Sequence, residues 1–295
     1  MDHPVAAVTV LMAVRNGCRY LRTSVESILA QTYQTFHVII VDDASTDETR
    51  ELVRGYADPR ITLVCLERNV GQTAALNVGL RRAASPWIAR LDADDYAAPD
   101  RLAQQMQAVD ADPTLDCVGT YAWLFRDDPR VVAGVIDKPL QDAAIKRQMW
   151  RIVPLIHGSL LMRRETVLAA GGYDERYRYS ADWELYHRWL PRCRAVNLPK
   201  RLVGIRRHPQ QDSFSRRAVD ENLDIFSRRL ETRTEGPGVR SMIQGSLSYT
   251  YMVRAQLNLR EGKAREAWHD LGSALRWSPA TAVKQLIRMG LSPTA

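Results

Sequence analysis

Four apolar runs of strand length, Val8–Val14, Phe36–Val41, Ile61–Leu66 and Trp87–Leu91, recur with room for one helix between neighbours. Between the first two, Leu21, Val25, Ile28 and Leu29 fall at helical spacing; before the fourth, Ala74, Leu76 and Leu80 do the same. Continuous apolar runs rich in β-branched residues suit strands covered on both faces, as in a parallel sheet. Strands alternating with helices require right-handed crossovers, so the pattern predicts an α/β domain with a doubly wound sheet. Ligands of such sheets bind beyond the carboxyl ends of the strands.

Those strand ends are polar. The first run closes in Arg15-Asn16-Gly17 and the second in Asp42-Asp43-Ala44-Ser45-Thr46-Asp47, where Ser45 or Thr46 is placed to cap a helix starting near Asp47. The third leads into Asn69-Val70-Gly71, and the fourth delivers Leu91-Asp92-Ala93-Asp94-Asp95-Tyr96. An extended Asp-x-Asp presents its first and third side chains to one side. Asp92 and Asp94 therefore suit a hard cation, Mg²⁺ or Mn²⁺, and a diphosphate bound to it; on these residues alone an acidic surface loop is the competing reading. No GxGxxG follows the first run and no GxxxxGK with Ser or Thr occurs anywhere, which excludes a dinucleotide-binding turn and a P-loop. A hairpin-like pair, Cys117–Phe125 with Val131–Ile136, and a helix within Pro139–Trp150 follow.

Charge is distributed unevenly. Residues 1–196 hold 24 Lys and Arg against 25 Asp and Glu, a net of −1, whereas residues 197–295 hold 17 against 9, a net of +8. That basic part attracts an anionic membrane face or phosphorylated ligands. It lacks any groove-reading motif, so no nucleic-acid partner is expected. Cys18, Cys65, Cys117 and Cys193 form no CxxC and no paired framework, the usage of reduced thiols in a cytoplasmic protein. The apolar run Val5–Val14 is too short to span a bilayer and has no basic flank.

The ordered series Val41-Asp42-Asp43-Ala44-Ser45-Thr46-Asp47, Asn69-Val70-Gly71 with Asn77-Val78-Gly79-Leu80, and Leu91-Asp92-Ala93-Asp94-Asp95 with Pro99-Asp100-Arg101-Leu102 resembles the successive signatures of family-2 glycosyltransferases of the GT-A fold. His157-Gly158-Ser159, Gly171-Gly172-Tyr173-Asp174, Ser180-Ala181-Asp182-Trp183-Glu184 and Arg206-Arg207-His208 continue the match. The resemblance implies a Rossmann-like mixed α/β sheet over residues 1–214 and an inverting enzyme moving one hexosyl or deoxyhexosyl group from a nucleotide-diphosphate sugar to a glycan or lipid-linked acceptor. Surface-polysaccharide assembly would be its pathway. By the same resemblance Ala13, Arg15, Asp42, Asn69, Asp92, Ala93 and Arg206 hold the nucleotide sugar, Asp42 at the base and Asp92 at the ribose or the water shell of the metal. Asp94 and His208 would bind Mg²⁺ or Mn²⁺, Asp182 would be the catalytic base, and His157 and Trp183 would flank the acceptor. On residue chemistry alone Asp182 also fits a helix N-cap, because it precedes Trp183, Leu185, Tyr186 and Trp189.

Some positions depart from the family pattern. Ala13-Val14-Arg15-Asn16 stands where Pro-x-Tyr-Asn is usual, Leu76 replaces an Arg, and Ala181 replaces the Glu before the base. Arg188-Trp189 does not reproduce the Gln-x-x-Arg-Trp element of processive synthases, because Leu185 occupies the Gln position. Rival readings are a sugar-phosphate nucleotidyltransferase, which would need an early Gly-rich basic loop, and a non-catalytic nucleotide-sugar-binding or assembly subunit.

Residues 215–295 are expected to be helical. Ala264, Ala267, Trp268, Leu271 and Leu275 form one apolar stripe, Pro279 is placed to stop the helix, and the preceding helix runs through Tyr251, Met252 and Ala255 to a turn at Gly262. The Arg216-Arg217 and Arg228-Arg229 pairs, with exposed Leu286 and Ile287, would rest on an inner membrane leaflet, making the protein peripheral there; a solvated helix bundle is the alternative.

Overall fold

The first apolar run becomes β1 (Val8–Val14), buried at all 7 positions. It needs cover on both sides because β2 (Phe36–Asp42) and, later, β4 (Trp87–Arg90) pair with it in parallel, and β3 (Ile61–Cys65) extends the sheet beyond β2. The crossovers are α1 (Cys18–Leu29), α2 (Thr49–Arg54) and α3 (Gln72–Arg82). Then come β5 (Tyr96–Ala97), α4 (Arg101–Ala111), β6 (Cys117–Phe125), β7 (Gly134–Ile136), α5 (Asp142–Gln148), β8 (Leu161–Arg163), α6 (Arg164–Ala169), α7 (Ala181–Trp189) and β9 (Ala195–Arg206). The chain closes with α8 (Arg216–Glu231), α9 (Pro237–Arg260), α10 (Ala264–Trp277) and α11 (Pro279–Arg288). This computed structural model describes residues 6–208, 215–232 and 235–288.

The sheet order is β3-β2-β1-β4-β8-β6-β9-β5, with β7 on β6. It is a mixed sheet, not the wholly parallel one that strand–helix alternation by itself implies. β8 is antiparallel to both β4 and β6, and β9 is parallel to β6 but antiparallel to β5. Direction matters for function. Because β8 enters the sheet where β4 leaves it, the His157–Ser159 turn before β8 lies at the Asp-rich end of β4, and Arg90 N–H donates to Leu160 O at 2.8 Å. Because Tyr96 pairs with Gly204, Arg206 at the end of β9 comes opposite Asp94.

The core beneath joins Val10 and Met12 of β1, Val25 and Ile28 of α1, Val38 and Ile40 of β2, Leu102 of α4 and Val203 of β9. On α3, a Cβ added to Gly79 would stand 2.2 Å from Leu11 Cδ1, so only glycine lets this helix lie so close to β1. The hairpin of β6 with β7 and a helix within 139–150 are present. The helix after β2 starts at Thr49, later than an Asp47 start, and neither Ser45 nor Thr46 caps it. Ser45 Oγ instead accepts the Asn16 N–H at 2.9 Å, while the Asp47 carboxylate accepts the Thr49 N–H at 3.2 Å.

The chain forms two compact units, Met1–Met149 with Val153–Pro209, and Trp150–Ile152 with Gln210–Ala295. In the second unit α9 touches α8, α10 and α11. The turn at Gly262 is there, with φ at +73°, and Pro279 both follows α10 and opens α11. Two expectations fail here. Trp268 is 73% exposed, because the buried side of α10 is Ala267, Asp270 and Ala274. Leu286 is not exposed but packs with Met252, Ala274 and Ala282, and the side chain of Ile287 lies outside the described residues. Among the described residues no helix is long and apolar enough to cross a membrane.

A polar knot replaces apolar packing at one point of this unit. Asp270, 2% exposed, accepts two bonds from Arg254, at 3.0 and 2.7 Å, and one from Asn258 at 2.8 Å. Removing the acceptor leaves a buried amide without a partner and Arg254 held by Asp220 at the surface, so Asp270→Ala is expected to destabilise the helical unit by about 2 kcal/mol, read as a lower urea midpoint.

Candidate active site

Three strand-end loops are stitched together before any ligand arrives. Asn16, held at φ +50°, accepts the Thr46 N–H on its Oδ1 at 2.8 Å, and Asp47 accepts the Cys18 N–H at 3.2 Å. Asp43 then ties the second loop to the third, accepting the N–H groups of Val70 at 2.7 Å and Gly71 at 2.9 Å. Asp42 at the end of β2 is fully buried: Oδ2 receives Arg50 Nε at 2.5 Å, while Oδ1 has no partner. A buried acceptor left open is costly unless something fills it. Ala13 is buried in β1, whereas Arg15 and Asn69 are exposed on the flanking loops.

At the end of β4 three carboxylates meet buried arginines. Arg90, 0% exposed, places Nη2 2.5 Å from Asp92 Oδ1, and Gln72 Nε2 reaches the same oxygen at 3.2 Å. Burial pushes the Asp92 carboxyl up, but Arg90, His157 and these hydrogen bonds outweigh it and hold the group below its usual value. Asp94 goes the other way: burial, then the Asp92 charge, raise it against the opposing pull of His208. Asp95 is raised well above the usual range by burial and both neighbouring carboxylates, and its Oδ1 accepts the Arg206 N–H at 3.0 Å. Ala93 packs against the core between them. Arg101, wholly buried beneath, donates to Arg90 O at 2.7 Å and is pushed down to about 9 by burial and by the neighbouring Arg90.

His208 Nε2 stands 2.9 Å from Asp94 Oδ2, and its ring centroid is 4.9 Å from that of Tyr20 on α1. The Arg206 guanidinium lies between the rings of Tyr20 and Phe125, 4.8 and 4.6 Å from their centroids. It donates to the carbonyls of Asp94 at 2.9 Å and Arg126 at 2.7 Å, and so clamps the Asp94 turn to β6 and β9.

The other wall is built from α7 and the loop before it. Asp182 is the second residue of α7, not its N-cap, which is Ser180. Its Oδ1 accepts the Trp183 N–H at 2.8 Å. Burial pushes this carboxyl up to about 6; the Asp92 charge adds to the rise, and the Trp183 N–H and Lys138 oppose it. Trp183 is fixed by its Nε1 donating to Met149 O at 2.8 Å. His157 shares a 2.7 Å hydrogen bond with Tyr173 Oη and is pushed down to about 3 by burial and Arg90, so it is neutral near pH 7. Asn77 of α3 holds this loop through Tyr173, accepting its N–H at 2.9 Å and donating to its carbonyl at 2.8 Å. Gly158 backs onto the carboxylates: an added Cβ would stand 3.2 Å from an oxygen of both Asp92 and Asp95.

Sequence reasoning singled out Asp92, Asp94, Asp182, His157, Arg206 and His208; in the structure His208 and Arg206 bond to Asp94, and Asp92 lies within electrostatic reach of His157 and Asp182. It passed over Arg90, Tyr20 and Phe125. An arginine inside the apolar fourth run was the available signal for Arg90, because a buried charge demands a counter-charge. Arg90→Met is expected to cost ~2–3 kcal/mol, less than the roughly 3–5 kcal/mol for breaking a fully buried pair because the Asp92 side chain is 31% exposed. Thermal melts check the loss, and an NMR titration should show Asp92 ionising at higher pH.

Asp94 and His208 fit a divalent ion. Their 2.9 Å separation is what two adjacent ligands of an octahedral ion need, about 3 Å for bonds of about 2.1 Å. A carboxylate with an imidazole suits Mn²⁺ as well as Mg²⁺. Among the described residues no cluster of three or more His, Cys, Asp or Glu surrounds one point, so the remaining ligands would be substrate phosphate and water.

Comparison with known proteins identifies the family and the fold. The model of Glycosyl transferase family 2 matches residues 9–169. EpsE of Bacillus subtilis, named as a glycosyltransferase, is 30% identical over 86% of this chain and 96% of its own. The succinoglycan biosynthesis protein ExoO of Rhizobium meliloti is 42% identical over 36% of this chain and 31% of its own. Among solved structures, S. aureus TarS in complex with UDP-GlcNAc superposes with a TM-score of 0.72 at 16% identity, covering 97% of this chain and 83% of that one. The mannosyltransferase PcManGT from Pyrobaculum calidifontis, in complex with GDP-Man and Mn²⁺, gives 0.63 at 22% identity over 96% and 79%. These likenesses show the GT-A fold.

Proposed function

The chain belongs to glycosyl transferase family 2, and from that premise we propose that residues 1–214 transfer one sugar, with inversion, from a nucleotide-diphosphate sugar to a hydroxyl of a glycan or glycolipid. The observation that carries this reading is Asp182: a carboxyl at a helix start, raised to about 6, within electrostatic reach of Asp92. A base poised there is mostly ionised at pH 7 yet still basic enough to take a hydroxyl proton.

The roles follow from placement. Asp42 Oδ1, buried and without a partner, would accept an N–H of the nucleotide base. Arg90 and Gln72 orient the Asp92 carboxylate toward the ribose or the metal's water shell. Asp94 and His208 would hold Mg²⁺ or Mn²⁺, and Arg206 keeps their turn in position. Such an ion, when bound, neutralises charge growing on the departing nucleoside diphosphate. Asp182 takes the proton as the acceptor oxygen attacks the anomeric carbon opposite the leaving group, which inverts that carbon. His157, neutral and tied to Tyr173, and Trp183 line the acceptor side.

Support for the donor class comes from TarS with UDP-GlcNAc and PcManGT with GDP-Man and Mn²⁺; the name of ExoO supports a place in surface-polysaccharide assembly. Four free cysteines suit the cytoplasm. Incubating the protein and Mn²⁺ with a panel of nucleotide sugars and candidate glycan acceptors, and reading the anomer by NMR, tests the proposal. An inverted product that disappears in Asp182→Asn is expected; a retained anomer, or no nucleotide binding under any metal condition, overturns it.

A further inference from the structure

α10 turns one side inward and leaves the other bare. At about 100° per residue, buried Ala267, Asp270 and Ala274 mark its inner direction. Trp268, Gly272 and Leu275 fall on the opposite half, with Arg265 and Arg276 beside them, while His269 turns back to Asp270, 3.7 Å from its carboxylate. Trp268 is 73% and Leu275 42% exposed, and they stand on one line two turns apart. Gly272 between them leaves the surface open, since an added Cβ would meet nothing within 4 Å. No acidic side chain of α10 shares this half: Asp270 is buried and bound by Arg254, and Glu266 lies roughly 160° from Trp268 around the helix.

We propose that this outer face of α10 is a docking surface for an anionic lipid bilayer. Two features favour lipid over protein. A single Trp and Leu supply far less apolar area than the ~800 Å² per partner that a stable protein interface needs. An indole flanked by arginines instead matches the headgroup level of a membrane, where the ring sits at the interface and the guanidinium groups meet lipid phosphates. The charge of the helical segment is complementary, with 13 Lys and Arg against 9 Asp and Glu over residues 210–295. The inference is independent of the transferase chemistry. It also moves the membrane contact away from Leu286, which is packed against Met252 and Ala274.

Cosedimentation of the 295-residue chain with vesicles of phosphatidylcholine alone, and of an equimolar mixture with phosphatidylglycerol, tests it. The wild type should bind the mixed vesicles, weakly or not at all the neutral ones, and less as salt rises. Trp268→Ala should weaken binding roughly tenfold or more, the effect of withdrawing one large aromatic side chain from an apolar phase. Trp268→Phe should restore part of it, and Arg265→Glu with Arg276→Glu should abolish the preference for anionic lipid. Because these side chains are exposed, unchanged melting curves will separate lost binding from misfolding. The proposal falls if the wild type ignores the mixed vesicles, if Trp268→Ala binds them as well as the wild type, or if gel filtration shows a dimer that Trp268→Ala dissociates.

Discussion

Asp182→Asn should slow transfer by orders of magnitude and, at neutral pH, make the protein more stable. Loss of a general base costs about 10²–10⁴ in rate. The stability gain follows from the direction of the shift: the carboxyl ionises at about 6 in the folded chain against the ordinary 3.8. A raised carboxylate pKa means that folding disfavours the ionised form. The penalty is absent below about pH 4, grows as the unfolded chain loses its proton, and is complete above about pH 6. The rise from 3.8 to about 6 corresponds to roughly 3 kcal/mol, an upper figure because Asp182 is only half-buried. Asparagine keeps the oxygen that accepts the Trp183 N–H, so the helix start is preserved. Melting temperatures of wild type and variant should therefore coincide near pH 4 and separate by several degrees at pH 7.5, the variant higher. In the wild type the same ionisation should set the acid limb of kcat/KM, with activity falling as pH drops through about 6. Equal melts at both pH values would show that Asp182 is not a desolvated base.

The second large effect is expected of Asp94→Ala. In the wild type, Mn²⁺ with a nucleoside diphosphate should raise the melting temperature by mass action, about 2.7 kcal/mol at a hundredfold excess over Kd. The variant should lose this joint stabilisation, with metal and nucleotide no longer enhancing each other, because Asp94 and His208 are the two described groups placed to hold the ion. Its own melt without ligand should hardly change. Asp94 is raised by burial and by the Asp92 charge, so removing it also removes a repulsion. A Mn²⁺-dependent shift surviving in Asp94→Ala would place the ion elsewhere.

Much of this protein was legible in the chain because its signals are local. Apolar runs such as Val8–Val14 carry their own burial requirement, and a motif such as Asp92-Ala93-Asp94 brings its carboxylates together within a few residues. Reading failed where a partner distant in sequence decided the outcome. Ser45 looked like a cap, but the Asn16 N–H takes its hydroxyl. Trp268 belongs to an apolar stripe, but the inward side of α10 carries the buried Asp270 that pairs with Arg254, and the indole faces out.

By itself, then, the sequence determined the alternation of strands and helices, the acidic strand ends and the family to which they belong, since each depends on neighbouring residues and on periodicity. Only the tertiary structure decided the antiparallel entry of β8, which sets His157 against Asp92, and the pairing of β5 with β9, which carries Arg206 and His208 more than a hundred positions back to Asp94. It alone decided the ionisation of Asp182 as well. A carboxyl's desolvation and the charges it feels depend on everything folded around it, and no pattern along the chain records that sum.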